Sequence, residues 1–392
     1  MPASDRITGA RLVQGGFSEL AIGYLEHEPD PVSRLNLAIA YRHTNRLPQA
    51  QSILVDLCKN DDTPANVFAA ALNSLGMVHA DLGRFTQSEA AFQCAYDLMP
   101  GQQVALNLGY AKLRLQKFEE AWPYFESGRL GSSWRLMDGT RPWEGQLGNA
   151  ICVSEGGFGD GFLFDRFLYD FVDSTNRAHL SIWSQMESTG YWKSRPGDYF
   201  TVSYHSGDPF QGIPAEKWEF TTSIMSLMAI LGMKSVVDIP QARKPSINGG
   251  FDRNLTPSGG IGLCWAAEEN GVIRKHRSIP VEDLSPLADM DRKYYSLVPG
   301  QCPTWANPVP IRSWADTMSI LLGLDLVISV DTAVAHLACL MGVPTIIVLP
   351  TRSDWKWFVG TDRSPWWPSA TLVRNTDPVR FGPAIQRVME MI

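Results

Sequence analysis

An internal repeat in the first 130 residues constrains the fold more than any other feature of this chain. Leu75-Gly76 and Leu108-Gly109 stand 33 residues apart, and each glycine is followed 16 residues later by a phenylalanine, Phe92 or Phe125. An earlier copy, with Leu37-Ala38, lies before them and is separated from them by a longer insert. Small residues at this period fit where paired helices touch, and large residues fill the gaps between them. The pattern predicts helix pairs that stack into an α-solenoid.

Such helix pairs cannot bury their apolar faces alone, so we expect a stacked array with a concave surface. A half copy of the repeat at Gly16-Phe17 precedes the others. The concave surface favours docking of a peptide or protein partner. The alternative is an array that only stabilises the rest of the chain or pairs two copies of it, and the sequence leaves self-association open.

The pattern changes after a Gly-rich connection at residues 128–148. Apolar runs typical of strands then alternate with helical segments, among them predicted helices at 160–172 and 221–231, and this alternation indicates parallel sheets covered on both faces. A Pro/Gly-rich stretch at 240–260 divides two such series, which predicts two Rossmann-like lobes and a cleft. The predicted domains are a helical region 1–130, a linker 131–148, a first lobe 149–250 and a second lobe 251–392.

Composition excludes several classes of protein. With 34 Lys and Arg against 41 Asp and Glu, the net charge is −7, which argues against a chain that neutralises a nucleic-acid backbone. The six cysteines form no C-x-x-C pair, so neither a zinc site nor a disulfide framework is indicated. The N-terminus lacks the apolar core of a signal peptide, and no apolar run approaches the ~20 residues that span a bilayer. A cytoplasmic protein of bacterial type is expected.

A Gly-rich turn, Ser154–Gly161, falls between a predicted strand and a predicted helix. Its glycines, Gly157 and Gly159 among them, would let a substrate approach the backbone. The turn lacks the dinucleotide G-x-G-x-x-G spacing, which disfavours an NAD-type reductase. Asp160 has two interpretations: a helix N-cap, or a carboxylate that accepts a proton from an attacking hydroxyl. The two can coexist.

A second strand–helix junction spans Ile328–His336. Ser329 lies in the apolar run, which ends at Asp331, and a helix follows. Backbone N–H groups around Ala333 and the Thr332 hydroxyl suit a diphosphate. His336 lies one turn beyond Thr332, where it is either a packing histidine or a ligand contact.

Two further segments supply cations and aromatic rings. Trp265 ends a predicted strand, and Lys275 and Arg277 follow it, so their charges could neutralise a pyrophosphate or lie in a solvated loop. Asp354-Trp355 and the run Ser364–Pro368 could wall a sugar or base pocket, or pack the C-terminal helix. An Asp289-Met290-Asp291 triplet lies in a predicted turn, where we expect no metal.

The motifs together resemble bacterial tetratricopeptide-repeat proteins whose C-terminal region is similar to glycosyltransferase family nine, the heptosyltransferase-like group. The departures are Gly157 and Phe158 in the turn and Lys275-His276 in the basic run, and 184–250 carries no motif. The resemblance covers nearly the whole chain and rests on Glu155–Asp160, Gly262–Trp265 with Arg277-Ser278, Asp325–Gly342, and Asp354–Trp357 with Ser364–Ser369.

The resemblance implies a GT-B fold of two facing Rossmann-like lobes, with 149–250 on the acceptor side and 251–392 on the nucleotide-sugar side. It also implies a metal-independent, inverting transferase without a cofactor. Asp160 matches the residue thought to be the general base, and Thr332 and His336 match positions that hold the diphosphate. The expected reaction moves a sugar from a nucleoside-diphosphate sugar to a hydroxyl of a protein or cell-surface glycan. The alternative is a non-catalytic adaptor with a degenerate or nucleotide-sensing GT-B body. The predicted nucleotide-sugar contacts are Gly157, Gly159, Trp265, Lys275, Arg277, Ser329, Asp331, Thr332, Ala333, His336, Asp354 and Trp355.

Overall fold

The chain divides into a helical unit and an α/β unit. The computed structural model describes residues 3–183, 200–205, 207–244, 252–267, 277–378 and 380–392. Within those residues, the helical unit holds 3–128 and the segment 351–359, and the α/β unit holds the remainder from Arg129 onward. A helical N-terminal region followed by a parallel α/β body confirms the coarse prediction. The exact domain boundaries stay predictions.

Within residues 3–129, the helical unit consists of four helix pairs. Each pair is joined by a short turn, and Asp30 caps the second pair by accepting a hydrogen bond from Ser33 N–H at 3.1 Å. The pairs are α1 (Ala3–Gln14) with α2 (Ser18–Leu25), α3 (Pro31–His43) with α4 (Leu47–Lys59), α5 (Ala65–Asp81) with α6 (Phe85–Leu98), and α7 (Gln102–Arg114) with α8 (Phe118–Arg129).

The 16-residue interval read from the sequence is a helix–helix contact. A Cβ added to Gly76 would lie 2.7 Å from the Phe92 ring, and one added to Gly109 would lie 2.7 Å from the Phe125 backbone nitrogen. The first pair repeats the interval, because a Cβ on Gly9 would lie 2.6 Å from Leu25 Cγ. The N-terminal copy is therefore a complete helix pair rather than the predicted half copy.

Replacing Gly109 with alanine is expected to destabilise the helical unit by about 1–3 kcal/mol, since the added methyl meets backbone that cannot swing aside. Gly23→Ala is the matched control. Gly23 is an exposed helical glycine whose Cβ would meet nothing within 4 Å, so alanine should stabilise there by up to ~1 kcal/mol. Denaturant midpoints of the two variants check the prediction. Equal shifts in one direction would contradict it.

Residues 351–359, here called the returning segment, leave the α/β unit after one strand and join the helical unit. Asp81, at the end of α5, holds Arg42 Nε at 2.6 Å and Arg352 Nη1 at 2.7 Å. Burial by itself would raise the pKa of Asp81, but the two guanidinium groups outweigh it and lower that pKa. Arg114 Nη2 donates to the Ser353 carbonyl at 2.9 Å. The ends of α5 and α7 therefore hold this segment directly, and Arg42 of α3 shares the Asp81 carboxylate with it.

Aromatic rings of the returning segment also pack against rings of α8. Trp355 lies edge-on to Phe125 with ring centroids 6.0 Å apart, and Phe358 lies edge-on to Phe118 at 5.7 Å. All four rings are buried, so α8 and the returning segment share one apolar cluster.

The α/β unit contains two parallel sheets. Among the described residues, the first has the order β1-β5-β2-β3-β4 and the second β11-β10-β9-β6-β7-β8. Their strands are β1 (Arg141–Pro142), β2 (Asn149–Val153), β3 (Arg177–Trp183), β4 (Phe200–His205), β5 (Phe220–Ser223), β6 (Ile261–Cys264), β7 (Tyr294–Ser296), β8 (Asn307–Pro308), β9 (Leu326–Val330), β10 (Thr345–Leu349) and β11 (Ala370–Arg374).

The helices of the α/β unit lie between its strands, except the last one, which follows β11. No helix in the described part of the chain is both long and apolar enough to cross a membrane. The helices of the α/β unit are α9 (Phe158–Phe164), α10 (Leu168–Asp173), α11 (Leu227–Ile230), α12 (Trp314–Leu321), α13 (Ala333–Met341) and α14 (Gly382–Met389).

Two predicted helices differ from the structure. The helix predicted at 221–231 is wrong: its start belongs to β5, whose four residues are all buried between β1 and β2, and only α11 is helical. The helix predicted at 160–172 is broken by a 3₁₀ turn, Asp165–Phe167. Residues 131–148 include β1 and the buried Trp143, whose indole donates to the Gln146 carbonyl at 2.8 Å.

His179, on β3, makes stability depend on pH. Its ring nitrogens contact Thr201 Oγ1 at 2.6 Å and Ser203 Oγ at 2.8 Å, and burial, with a smaller effect of Arg177, lowers its pKa from 6.5 to about 4. The unfolded chain therefore takes up this proton at higher pH than the folded chain. The stabilising contribution is complete above pH 6.5 and is lost as the pH falls towards about 4.

Unfolding titrations of wild type and His179→Gln between pH 7 and pH 4 test this. Glutamine can keep hydrogen bonds to β4 but does not titrate. The wild type should lose more stability than the variant over that window, with an extra slope below about 1.4 kcal/mol per pH unit because the ring edge is partly solvated. Parallel curves for the two proteins would show that His179 does not contribute.

Candidate active site

Both sheets reverse their strand order at the places where the sequence motifs fall. The first sheet reverses between β2 and β5, and the second between β6 and β9. In open parallel sheets, ligands bind beyond the carboxyl ends of the strands at such switch points. The turn Ser154–Gly161 follows β2, Trp265 follows β6, and Asp331–His336 follows β9. Topology therefore selects the same residues as the motifs.

The turn after β2 is shaped around Asp160. Gly156 has φ +82°, and a Cβ there would lie 2.6 Å from Asp160 Oδ2, so glycine is required for conformation and for space. Gly157 precedes α9, and its N–H donates to Asp160 Oδ2 at 3.1 Å. Asp160 is thus the third residue of the helix and reaches back to the cap; it is not the N-cap itself. Its carboxylate is half-buried.

A buried ion pair that the sequence analysis missed supports this turn. Glu155, 5% exposed, is bonded to the Arg129 guanidinium and to the Ser223 hydroxyl at the end of β5. Arg129 Nη2 also donates to Ser223 Oγ at 2.7 Å. Nothing local in the sequence signals this pairing, because its members lie 26 and 68 residues apart.

The N-terminus of α13 is capped by side chains of the residues that directly precede it. Thr332 is the N-cap, and its Oγ1 accepts from Ala335 N–H at 3.3 Å. Ser329 Oγ donates to the Val330 carbonyl at 2.7 Å and lies 3.0 Å from Thr332 Oγ1. The buried Ser329 therefore holds the cap in place. The backbone N–H groups of Ala333 and Val334 have no intrahelical partner, and both residues are half-buried.

His336 and Asp331 lie beneath this helix start. Trp367 Nε1 donates to His336 Nδ1 at 3.0 Å, and His336 Nε2 lies 3.7 Å from Asp331 Oδ1. Asp331 Oδ2 lies 3.9 Å from Arg277 Nη1. His336 is 2% exposed and the Arg277 side chain 25%, so Arg277 is the member of this group that reaches solvent.

Helices α9 and α13 bring the two motifs together. A Cβ on Gly159 would lie 2.9 Å from His336 Cδ2 and 3.5 Å from Ala333 Cα, so only glycine permits the approach. Asp160 is the next residue of α9. On the other side of α9, Phe158 packs against Trp314 of α12 with ring centroids 5.0 Å apart. Trp314 was not predicted, because no local pattern links α12 to α9.

The remaining predicted residues are placed differently. Trp265 is 3% exposed, and its carbonyl accepts from Ile279 N–H at 2.9 Å. Lys275 lies outside the described residues. Asp354 and Trp355 belong to the returning segment of the helical unit, where Asp354 Oδ2 pairs with Lys356 Nζ at 3.2 Å. The packing alternative for Trp355 holds, but its partner is α8 rather than the C-terminal helix.

Similar solved structures fall into two groups. The Escherichia coli heptosyltransferase WaaC with ADP is 10% identical and has a TM-score of 0.37; the match covers 62% of this chain and 99% of that one. A glycosyl transferase family 9 structure from Veillonella parvula DSM 2008 is 13% identical with a TM-score of 0.43, covering 66% of this chain and 91% of that one. MamA AMB-1 matches the N-terminal 32% of this chain and 88% of its own length, at 19% identity and a TM-score of 0.18.

No protein-family model and no curated protein matches the chain. The solved structures include the family that the sequence motifs indicated. At these identities and TM-scores they carry no argument about activity, which has to come from the site itself.

Proposed function

We propose that this chain is a glycosyltransferase that moves a sugar from a nucleoside-diphosphate sugar to a hydroxyl of a protein or cell-surface glycan. The observation that carries the proposal is the approach of Gly159 to His336 and Ala333 of α13, since Asp160 is the next residue of α9. In this proposal Asp160 is the base for the acceptor, the N-terminal turn of α13 binds the diphosphate of the donor, and both face one reaction centre. In this proposal the two parallel sheets are the two lobes of a GT-B body.

The chemistry follows from these positions. Asp160 takes the proton of the acceptor hydroxyl, whose oxygen attacks the anomeric carbon. The bond from that carbon to the diphosphate oxygen breaks, and attack from the opposite face inverts the centre. Negative charge that develops on the departing diphosphate meets the N–H groups of Ala333 and Val334, together with Arg277. Lys275 is proposed to add a second cation.

These roles need no metal ion, because protein groups supply the charge that the leaving diphosphate requires. The assignment of Asp354 and Trp355 as nucleotide-sugar contacts stays a prediction from the sequence motif, and the proposed mechanism does not use them. The helical unit is proposed to dock a polypeptide that carries the acceptor or lies next to it, in keeping with the stacked helix pairs.

Incubation with ADP-, GDP- and UDP-sugars tests the proposal. We expect one of these donors to raise the melting temperature and to release its nucleoside diphosphate slowly, as followed by mass spectrometry. The rate of release should rise when an acceptor is supplied. If no donor raises the melting temperature and none is cleaved, the chain is an adaptor with a degenerate body.

A further inference from the structure

We propose that Trp367 is a positioning residue that, through His336 and Asp331, holds the Arg277 guanidinium at the diphosphate. This inference rests on the proposed function and deepens it. It also changes the roles of two predicted contacts, because His336 and Asp331 then act on the ligand through Arg277 rather than by touching it.

The first link fixes the histidine ring. An indole nitrogen can only donate, so His336 Nδ1 accepts the 3.0 Å bond from Trp367, and the ring hydrogen resides on Nε2. Trp367 is 1% exposed and His336 2%, so water does not compete for this bond. The Nε2–H group then faces Asp331 Oδ1, 3.7 Å away.

The second link explains an acidic residue at an anion site. Asp331 is 5% exposed and directly precedes the cap of α13, where its charge would repel a diphosphate. His336 lies against one carboxylate oxygen and Arg277 against the other, at 3.7 and 3.9 Å. The carboxylate is thereby compensated, and the guanidinium is held within ion-pair range of it. Arg277 Nε is buried and makes no hydrogen bond with any described residue.

The third link connects Trp367 to the helix that carries Asp160. The Arg166 guanidinium lies 4.5 Å from the centroid of the Trp367 ring. Arg166 Nε donates to the Leu163 carbonyl, in α9, at 2.8 Å, and Nη1 donates to the Trp366 carbonyl at 3.0 Å. One buried arginine therefore fixes the indole that orients His336 and contacts the helix of the proposed base.

Trp367→Phe tests the assignment, because phenylalanine keeps an aromatic ring beside Arg166 but removes the N–H donor together with part of the indole. In wild type, long-range ¹H–¹⁵N correlation of the His336 ring, assigned with His336→Asn, should show the Nε2–H tautomer; in the variant this preference should be lost. Trp366→Phe is the matched control. Trp366 packs edge-on against Phe164, and its replacement should leave the His336 spectrum unchanged.

Binding of ADP, GDP and UDP by calorimetry supplies the functional readout. Trp367→Phe should weaken the nucleotide that wild type binds by about 5- to 10-fold, the loss of roughly one hydrogen bond. The KM for the donor should rise equally, with kcat within about twofold. In an Arg277→Met background, Trp367→Phe should change the affinity by less than about twofold, because the guanidinium it positions is gone.

Three results would overturn the inference. An unchanged tautomer in Trp367→Phe removes its first link. If Trp367→Phe weakens nucleotide binding as much in the Arg277→Met background as in wild type, Trp367 only stabilises the fold. If wild type binds none of the three nucleotides, the proposed function and the inference fail together. This outcome differs from the first, which concerns only the tautomer of His336, and from the second, which is seen only when a nucleotide binds.

Discussion

Asp160→Asn is expected to reduce turnover by about 10²–10⁴-fold, because general-base catalysis typically contributes that much and an amide cannot take the proton. Nucleotide affinity should stay within about twofold. Asparagine keeps an oxygen for the 3.1 Å hydrogen bond from Gly157 N–H, so the cap of α9 and the turn survive the change. Initial rates at saturating donor, with calorimetry for the nucleotide, measure the two quantities separately.

Asp170→Asn is the matched control for this prediction. Asp170 is an exposed carboxylate on α10, in the same unit, and its replacement should leave both rate and affinity unchanged. Full activity of Asp160→Asn would remove Asp160 from the mechanism. A parallel loss of nucleotide affinity would mean that the carboxylate shapes the site and does not act as a base.

Arg129→Met should destabilise the α/β unit by about 3–5 kcal/mol, since it leaves the buried Glu155 carboxylate without its cation. Removing both charges, as Arg129→Met with Glu155→Met, should restore most of that loss, because a buried pair replaced by apolar side chains is often neutral. Denaturant midpoints of the single and double variants give the comparison.

An exposed ion pair provides the reference for this effect. Arg135 Nη2 lies 2.8 Å from Asp208 Oδ1, but the two side chains are about half exposed, at 49% and 52%. Arg135→Met should therefore cost at most about 1 kcal/mol. If the Arg129 and Arg135 variants lose equal stability, or if the double variant is no better than Arg129→Met, burial of the Glu155 charge is not the cause.

Features with a local period were readable in the sequence. The glycine–phenylalanine interval of 16 residues predicted the helix contacts at Gly76 and Gly109, because one helix pair holds both partners. The ends of β6 and β9 were readable to within one residue, because in each case an apolar run stops at a small or polar residue. The predicted helix at 221–231 failed because a short buried strand and a short apolar helix have the same composition.

Contacts across long separations were not readable. Trp367 and His336 are 31 residues apart, and only the packing of the second sheet joins them. The run around Trp366 suggested a ligand wall or a packing surface, but it could not indicate which indole would donate to which imidazole. For Asp354 and Trp355, the sequence motif gave no sign that the chain leaves one unit and enters the other between β10 and β11.

The returning segment has a consequence for how this protein can be divided. A polypeptide cut after residue 130 would keep Asp81, Phe118 and Phe125 but would lose Arg352, Trp355 and Phe358, which cover them. The shortened piece would present an uncovered aromatic surface and would tend to self-associate. The helical repeats therefore cannot be exchanged as an independent module, because nine residues encoded more than two hundred positions later complete them. Any engineered version has to keep the repeats and the returning segment together.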